Sequence, residues 1–153
     1  MKVAVVGAGS WGTAMAAMLA AKVPTTLWAR RPELAAAIEA DGHNPDYLPG
    51  LRLPPSLRAT STLAEALDGA DVVVMAVPSH GFRAVLDEGR PGIRPGATIV
   101  SLTKGVEQVA LRRMSEIVAE LMPGQPFAVL TGPNLVDEIV AGQPTASVVA
   151  TPD

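Results

Sequence analysis

Val3-Ala4-Val5-Val6-Gly7-Ala8-Gly9-Ser10-Trp11-Gly12 follows Met1 and Lys2, and its reading decides the fold. Lys2–Val6 reads as a buried strand and the Ala-, Met- and Leu-rich run Ser10–Ala21 as a helix. Between them the three glycines keep the spacing G-x-G-x-x-G. Gly7 permits a tight turn, Gly9 lets the backbone come against a pyrophosphate, and Gly12 lets the helix pack close to the strand. Free N–H groups and the helix dipole at that N-terminus favour negative charge. A glycine-rich turn without a ligand is the plain alternative, but the strand–turn–helix context favours a dinucleotide.

The alternation continues outward from that unit. Thr25–Ala29 reads as strand and Pro32–Ala40 as helix, with proline in the first turn where a missing N–H costs nothing. Asp41–Pro55 holds four prolines and two glycines and reads as an irregular excursion. Arg58–Thr60 predicts a short strand and Thr62–Leu67 a helix, with Ser61 or Thr62 as N-cap. Asp71–Val77 is the most strand-like run, followed by helix over Ser79–Glu88 and strand over Ala97–Leu102. Val109–Leu121 reads as helix, Pro126–Thr131 as strand, Asn134–Val140 as a short helix and Thr145–Ala150 as a last strand. Parallel neighbours need a crossover between them, so the pattern implies one α/β domain over residues 1–153. Its core is a doubly wound, mainly parallel Rossmann-type sheet with helices on both faces. The chain stops at Asp153 just after a strand, which reads as a cut before a further domain.

Composition narrows the function classes. The 153 residues are 48% apolar, with net charge −3 and no cysteine. Mean hydropathy is +0.29, high for a soluble domain. A sheet buried on both faces would explain this, as would a surface that a missing partner domain covers. No basic cluster exceeds two adjacent residues, which gives nucleic-acid binding little support. The absence of cysteine excludes disulfides and thiol catalysis and suits a reducing cytoplasm. The opening apolar run is too short and glycine-broken for a signal peptide, and no run approaches a bilayer span. The expectation is a soluble, cytoplasmic protein.

Leu27-Trp28-Ala29-Arg30-Arg31-Pro32 bears on the choice of nicotinamide cofactor. An NAD site usually places Asp or Glu at the end of the second strand, yet no carboxylate appears here before Glu33. Arg30 and Arg31 suit a 2′-phosphate or stack on adenine, so NADP(H) is the preferred cofactor, with NAD(H) also accommodated. Two solvated arginines opening a helix are the alternative. Lys104 follows the strand Ala97–Leu102 at the carboxyl edge of the sheet, where it can hold a phosphate or a carbonyl oxygen, and Gly105 leaves room beside it. Pro78 and Ser79 close the Val-rich strand, where they should lie beside the ribose and nicotinamide, and a proline ending a strand with a serine capping a helix explains them equally well. His43 and His80 have no carboxylates at ligand spacing, which disfavours a metal site, although His80 could face the cleft. Asp137 and Glu138 are adjacent on a helix and make a poor acid–base pair. Tyr47 reads as a pin for the proline-rich loop.

The runs GAGSWGTAMA, WARRPEL, HNPDYLPG, DVVVMAVPSHGFR, SLTKGVE and TGPN lie in order along the chain. Together they resemble the bacterial-type NAD(P)-dependent glycerol-3-phosphate dehydrogenases of phospholipid precursor synthesis. HNPDYLPG and SLTKG are the specific parts, since many dinucleotide enzymes share the glycine motif. The resemblance implies interconversion of sn-glycerol 3-phosphate and dihydroxyacetone phosphate. It implies cofactor contacts at Gly7, Gly9, Ser10, Trp11, Gly12, Arg30, Arg31, Lys104 and Val136, and substrate contacts at Lys104, Gly132 and Asn134. The family pattern at that last turn is Gly-Pro-Ser-Phe-Ala, whereas this chain has Gly132-Pro133-Asn134-Leu135-Val136. The resemblance also implies that a lysine of a C-terminal helical substrate domain serves as general acid or base. On that reading no catalytic group lies in this chain, Lys104 is supporting, and the fragment alone is inactive. A homodimer is compatible with it.

Two other classes remain open at this level. One is another NADP reductase on the same scaffold, for a ketopantoate or hydroxyacyl substrate. The other is a non-catalytic module that senses the NAD(P) redox state through a partner.

Overall fold

In the computed structural model, which describes residues 1–152, strands and helices alternate from end to end. The strands are β1 (Val3–Val6), β2 (Thr25–Trp28), β3 (Leu57–Thr60), β4 (Val72–Met75), β5 (Thr98–Ser101), β6 (Phe127–Thr131) and β7 (Val148–Ala150). The helices are α1 (Ser10–Ala20), α2 (Pro32–Asp41), α3 (Leu63–Leu67), α4 (Ser79–Gly89), α5 (Met114–Leu121) and α6 (Val136–Val140). The sheet order is β3-β2-β1-β4-β5-β6-β7, with the first six strands parallel.

β1 lies between β2 and β4, and its side chains alternate between two cores. Ala4 and Val6 join Val73, Met75, Phe82, Leu86 and Ile117 beneath α3, α4 and α5. Val3 and Val5 join Leu27, Val74, Leu34 and Ile38 on the face covered by α1 and α2. A strand buried on both faces loses the polar alternation of a solvated one, which is why these runs read as continuous apolar stretches. No helix is long and apolar enough to cross a membrane among the described residues.

One expected element starts late, and two others take a form that the sequence left undefined. The helix expected over Val109–Leu121 begins only at Met114. Val109 and Leu111 are exposed, so helix there would bury no apolar face, and Leu111 sits at φ +52. Glu116 instead takes the Arg113 N–H at 2.8 Å and starts α5 there. β7 pairs antiparallel with β6. The connection over residues 132–147 carries only the five-residue α6, and the chain returns along β6 in the opposite direction. Thr62 is the N-cap residue of α3 but its side chain makes no capping bond, and Pro78, not Ser79, precedes α4.

Candidate functional site

The chain order of the sheet reverses between β1 and β4, and ligands of doubly wound folds bind at such a point, beyond the carboxyl ends of the strands. A cleft of about 490 Å³ opens there, lined from the loops after β1, β2, β4 and β5. Its volume is that of a small-molecule site.

The glycine turn forms one wall. Gly7 has φ +119, and a Cβ on it would stand 2.6 Å from the carbonyl oxygen of Ala76. A Cβ on Gly12 would meet the Gly7 carbonyl oxygen at 1.9 Å, so helix and strand touch backbone to backbone. Gly9 differs from both. It has φ −72, which any residue adopts, and no atom lies within 4 Å of the Cβ it lacks. Nothing in the protein forbids a side chain there, and the space it would fill belongs to the cleft. No side chain caps α1, so the first N–H groups of the helix remain available beside Ser10, Trp11 and Gly12 on the lining. Open space at Gly9, uncapped amides and a nearby guanidinium are what a dinucleotide pyrophosphate requires.

The excursion between α2 and β3 is tied to this turn by a residue that sequence reasoning missed. Asn44 is fully buried, and its Nδ2 donates to the Ala8 carbonyl oxygen and to Thr13 Oγ1, each at 2.9 Å. Its Oδ1 accepts the N–H groups of Asp46 and Tyr47, both at 3.2 Å. That is the Asx-turn chemistry of Asn, and the run Asn44-Pro45-Asp46 carried the signal. Ser10 Oγ donates to the Tyr47 carbonyl oxygen at 3.2 Å, a second tie. Tyr47 is therefore not the pin that its sequence suggests. Tyr47 is 47% exposed and lines the cleft, while Asn44 holds the loop.

At the end of β2 both arginines line the cleft, but their environments differ. Arg31 is ion-paired with Asp46 and lies 3.8 Å from Glu33, and the hydrogen bond to Asp46 holds its pKa above the ordinary value. Arg30 makes no ion pair among the described residues and is the guanidinium left for a ligand.

Lys104 lines the opposite wall, exposed and likewise without an ion pair among the described residues. Its loop is braced from two sides. Thr103 Oγ1 donates to the Val77 carbonyl oxygen at 2.7 Å, joining it to the loop after β4. Arg83 on α4 grips Glu107 through Nε at 2.5 Å and Glu120 of α5 through Nη1 at 2.9 Å. The two carboxylates hold Arg83 above its ordinary pKa, and Arg83 holds Glu120 below the usual carboxylate value. His80 and Pro78 line the cleft beside this loop. No group of three or more His, Cys, Asp or Glu side chains able to hold a metal ion occurs among the described residues.

Gly132, Asn134 and Val136 lie outside this lining. Asn134 Nδ2 donates to Thr145 Oγ1 at 3.1 Å, the Ala146 carbonyl oxygen at 3.1 Å and Ser147 Oγ at 3.0 Å. A Cβ on Gly132 would stand 2.5 Å from the Ala146 carbonyl oxygen, so this turn clasps the segment leading into β7. Val136 is the first residue of α6, which packs against α1.

The family model described as NAD-dependent glycerol-3-phosphate dehydrogenase N-terminus matches residues 2–153. The chain is 52% identical over 153 residues to glycerol-3-phosphate dehydrogenase (NAD(P)+) 2 of Sphingopyxis alaskensis, covering 100% of this chain and 46% of that protein. Against the Corynebacterium glutamicum strain R enzyme of the same name, without the numeral, it is 51% identical over 156 residues, covering 100% and 47%. The chain thus spans about half the length of the curated relatives it matches. A crystal structure of glycerol-3-phosphate dehydrogenase from Coxiella burnetii superposes with TM-score 0.93 at 35% identity, covering 99% of this chain and 47% of that one. A ketopantoate reductase from Ralstonia eutropha reaches only 0.65 at 27% identity, over 86% of this chain and 41% of its own. A match that runs from residue 2 to residue 153 in one piece is decisive, and the chain belongs to the NAD-dependent glycerol-3-phosphate dehydrogenase N-terminus family.

Proposed function

We propose that this chain is the dinucleotide-binding part of an NAD(P)-dependent oxidoreductase that interconverts sn-glycerol 3-phosphate and dihydroxyacetone phosphate, a source of phospholipid precursor. The observation that carries the reading is the cleft itself. Open space at Gly9 and the uncapped start of α1 lie on one wall, with Arg30 and Lys104 free on others. The bound nicotinamide supplies hydride transfer, and the protein's task is to orient, exclude water and handle charge.

Gly9, Ser10, Trp11 and Gly12 receive the pyrophosphate through backbone N–H groups, while Gly7, whose own N–H donates to the Trp28 carbonyl oxygen at 3.1 Å, makes the turn beside it. Arg30 and Arg31 receive the adenosine end and favour the 2′-phosphate of NADP(H). Lys104 reaches cofactor and substrate together and stabilises the carbonyl oxygen of dihydroxyacetone phosphate as it gains negative charge. Gly132 and Asn134 form the substrate-side turn, where Asn134 Oδ1 accepts Ser147 Oγ at 3.3 Å and keeps a second acceptor position, and Val136 borders the cofactor. The general acid or base and the grip on the substrate phosphate belong to a second, helical domain within the part of the relatives that this chain does not cover. A cysteine-free chain of this kind suits the cytoplasm.

The test is a fluorescence titration with NADPH and NADH. We expect NADPH to bind more tightly by one to two decades, the scale of about 1.5–3 kcal/mol for a charged contact. Arg30→Ala should remove more of that preference than Arg31→Ala, because Arg31 is already paired. Equal affinities in the parent protein would refute the preference, and the same chain should show no turnover of dihydroxyacetone phosphate by itself.

A further inference from the structure

The end of β2 lacks a carboxylate in sequence, yet the fold brings one there from fifteen residues away. Asp46 lies in the excursion between α2 and β3, and its side chain is ion-paired with Arg31. The placement is built and does not depend on the ion pair. Asp46 gives its N–H to Asn44 Oδ1, and buried Asn44 is itself bound to Ala8 and Thr13 of the glycine turn. Tyr47, the next residue, lines the cleft and accepts Ser10 Oγ through its carbonyl oxygen. The loop that shapes the phosphate turn therefore also sets a negative charge at the adenosine rim. Glu33 adds a second, 3.8 Å from Arg31. Two arginines and two carboxylates leave this rim close to neutral, where the sequence alone suggests a doubly positive one.

We infer that Asp46 is a specificity-determining residue that holds Arg31 away from a 2′-phosphate and so lets cofactor without that phosphate compete. The inference rests on the reading that the Arg30–Arg31 rim receives the adenosine end of the cofactor. A phosphate arriving at Arg31 must displace the Asp46 carboxylate from the guanidinium or share the guanidinium with it. A ribose 2′-hydroxyl carries no charge and does not compete for the paired guanidinium. Arg30, unpaired, retains a moderate preference for the phosphate. One carboxylate in a loop thus converts a site that Arg30 and Arg31 would tilt strongly towards NADP(H) into one that takes both cofactors.

Dissociation constants for NADPH and NADH decide it, measured on the full chain and on Asp46→Asn, Arg31→Ala, the combination of the two, and Arg30→Ala with Arg31→Ala. Asp46→Asn keeps the backbone N–H to Asn44, and Asp46→Ser is a second variant of the same sign. Both should raise the NADH-to-NADPH ratio of dissociation constants roughly three- to fivefold, the scale of an exposed ion pair, almost wholly through tighter NADPH. In the Arg31→Ala background Asp46→Asn should leave the ratio where it is, because there is no guanidinium to release. The gain should shrink as salt is added. A ratio unchanged or lowered by Asp46→Asn, in a protein where the Arg30 and Arg31 variants do collapse it, overturns the role of Asp46 and leaves the rim assignment standing. A gain that persists without Arg31 also overturns it. A ratio indifferent to removal of both arginines overturns the rim assignment, and the role of Asp46 with it.

Discussion

β1 is buried on both faces at the centre of the sheet, whereas β7 is exposed along its whole length and α6 contributes no buried residue. The two regions spend their polar groups differently. Around β1, Asn44 and Thr13 are buried and bonded so that the glycine turn and the loop over it form one rigid wall, while Arg30 and the first amides of α1 stay free. Around β7, Asn134 bonds to Thr145 and to Ser147, and Leu135, Val140, Val148 and Val149 face outward. The first region is a preformed cleft. The second is a clasp with an apolar exterior, and its proposed substrate residues are engaged with the protein itself.

The contrast is most easily broken at the glycines. Gly9→Val should lower NADPH affinity by two decades or more, about 3 kcal/mol, because the side chain enters the cleft where the pyrophosphate is proposed to lie. Its circular dichroism and urea midpoint should stay near those of the parent, since nothing lies within 4 Å. Gly12→Val should do the reverse in origin: its Cβ would stand 1.9 Å from the Gly7 carbonyl oxygen, costing about 3 kcal/mol of stability before any ligand is added. Undiminished NADPH binding by a folded Gly9→Val protein would move the nucleotide elsewhere.

Next in size is the tie between loop and turn. Asn44→Ala leaves the Ala8 carbonyl oxygen, Thr13 Oγ1 and two loop N–H groups without their partner in a buried place. We expect a loss of about 2–4 kcal/mol in urea denaturation and a drop in NADPH affinity of about tenfold as the glycine turn and Ser10 lose the loop that supports them. Unchanged stability would mean that the loop is held by its prolines and not by Asn44.

The same contrast explains what the sequence made legible. The Val-rich strands and the spacing of the glycine turn are local signals: doubly buried strands must be apolar, and Gly12 answers first to the Gly7 carbonyl oxygen of its own strand–turn–helix unit, although Gly7 answers to Ala76 after β4. The order of elements and the cleft at the β1–β4 switch follow from them. The pairing of Asp46 with Arg31 and the burial of Asn44 are long-range, joining a loop without periodicity to elements up to 36 residues away, and no window of sequence displays that. The late start of α5 was hidden for a related reason. Val109 and Leu111 continue an apolar pattern, but no surface exists for them to cover, so the pattern gains nothing by becoming helix.

The smallest expected effect tests the clasp. Asn134 is partly exposed, so Asn134→Ala releases hydrogen bonds that water can replace, and stability should fall by less than about 1 kcal/mol. NADPH affinity should not move, because Asn134 lies outside the cleft lining. The informative measurement is made with substrate, on the full-length enzyme with the helical domain in place. If Asn134 Oδ1 gives its second acceptor position to glycerol 3-phosphate, KM should rise several-fold with little change in the cofactor's dissociation constant, as expected for lost ground-state binding. Asn134→Asp keeps the acceptor but loses the Nδ2 donor to Thr145, Ala146 and Ser147, so it should weaken the clasp while placing a negative charge near an anionic substrate. A KM that rises for both variants, more steeply for Asp, assigns the residue to the substrate. A KM indifferent to both, with a lowered melting temperature in each, reduces Asn134 to a staple for β7 and leaves Lys104 as the substrate contact this chain supplies.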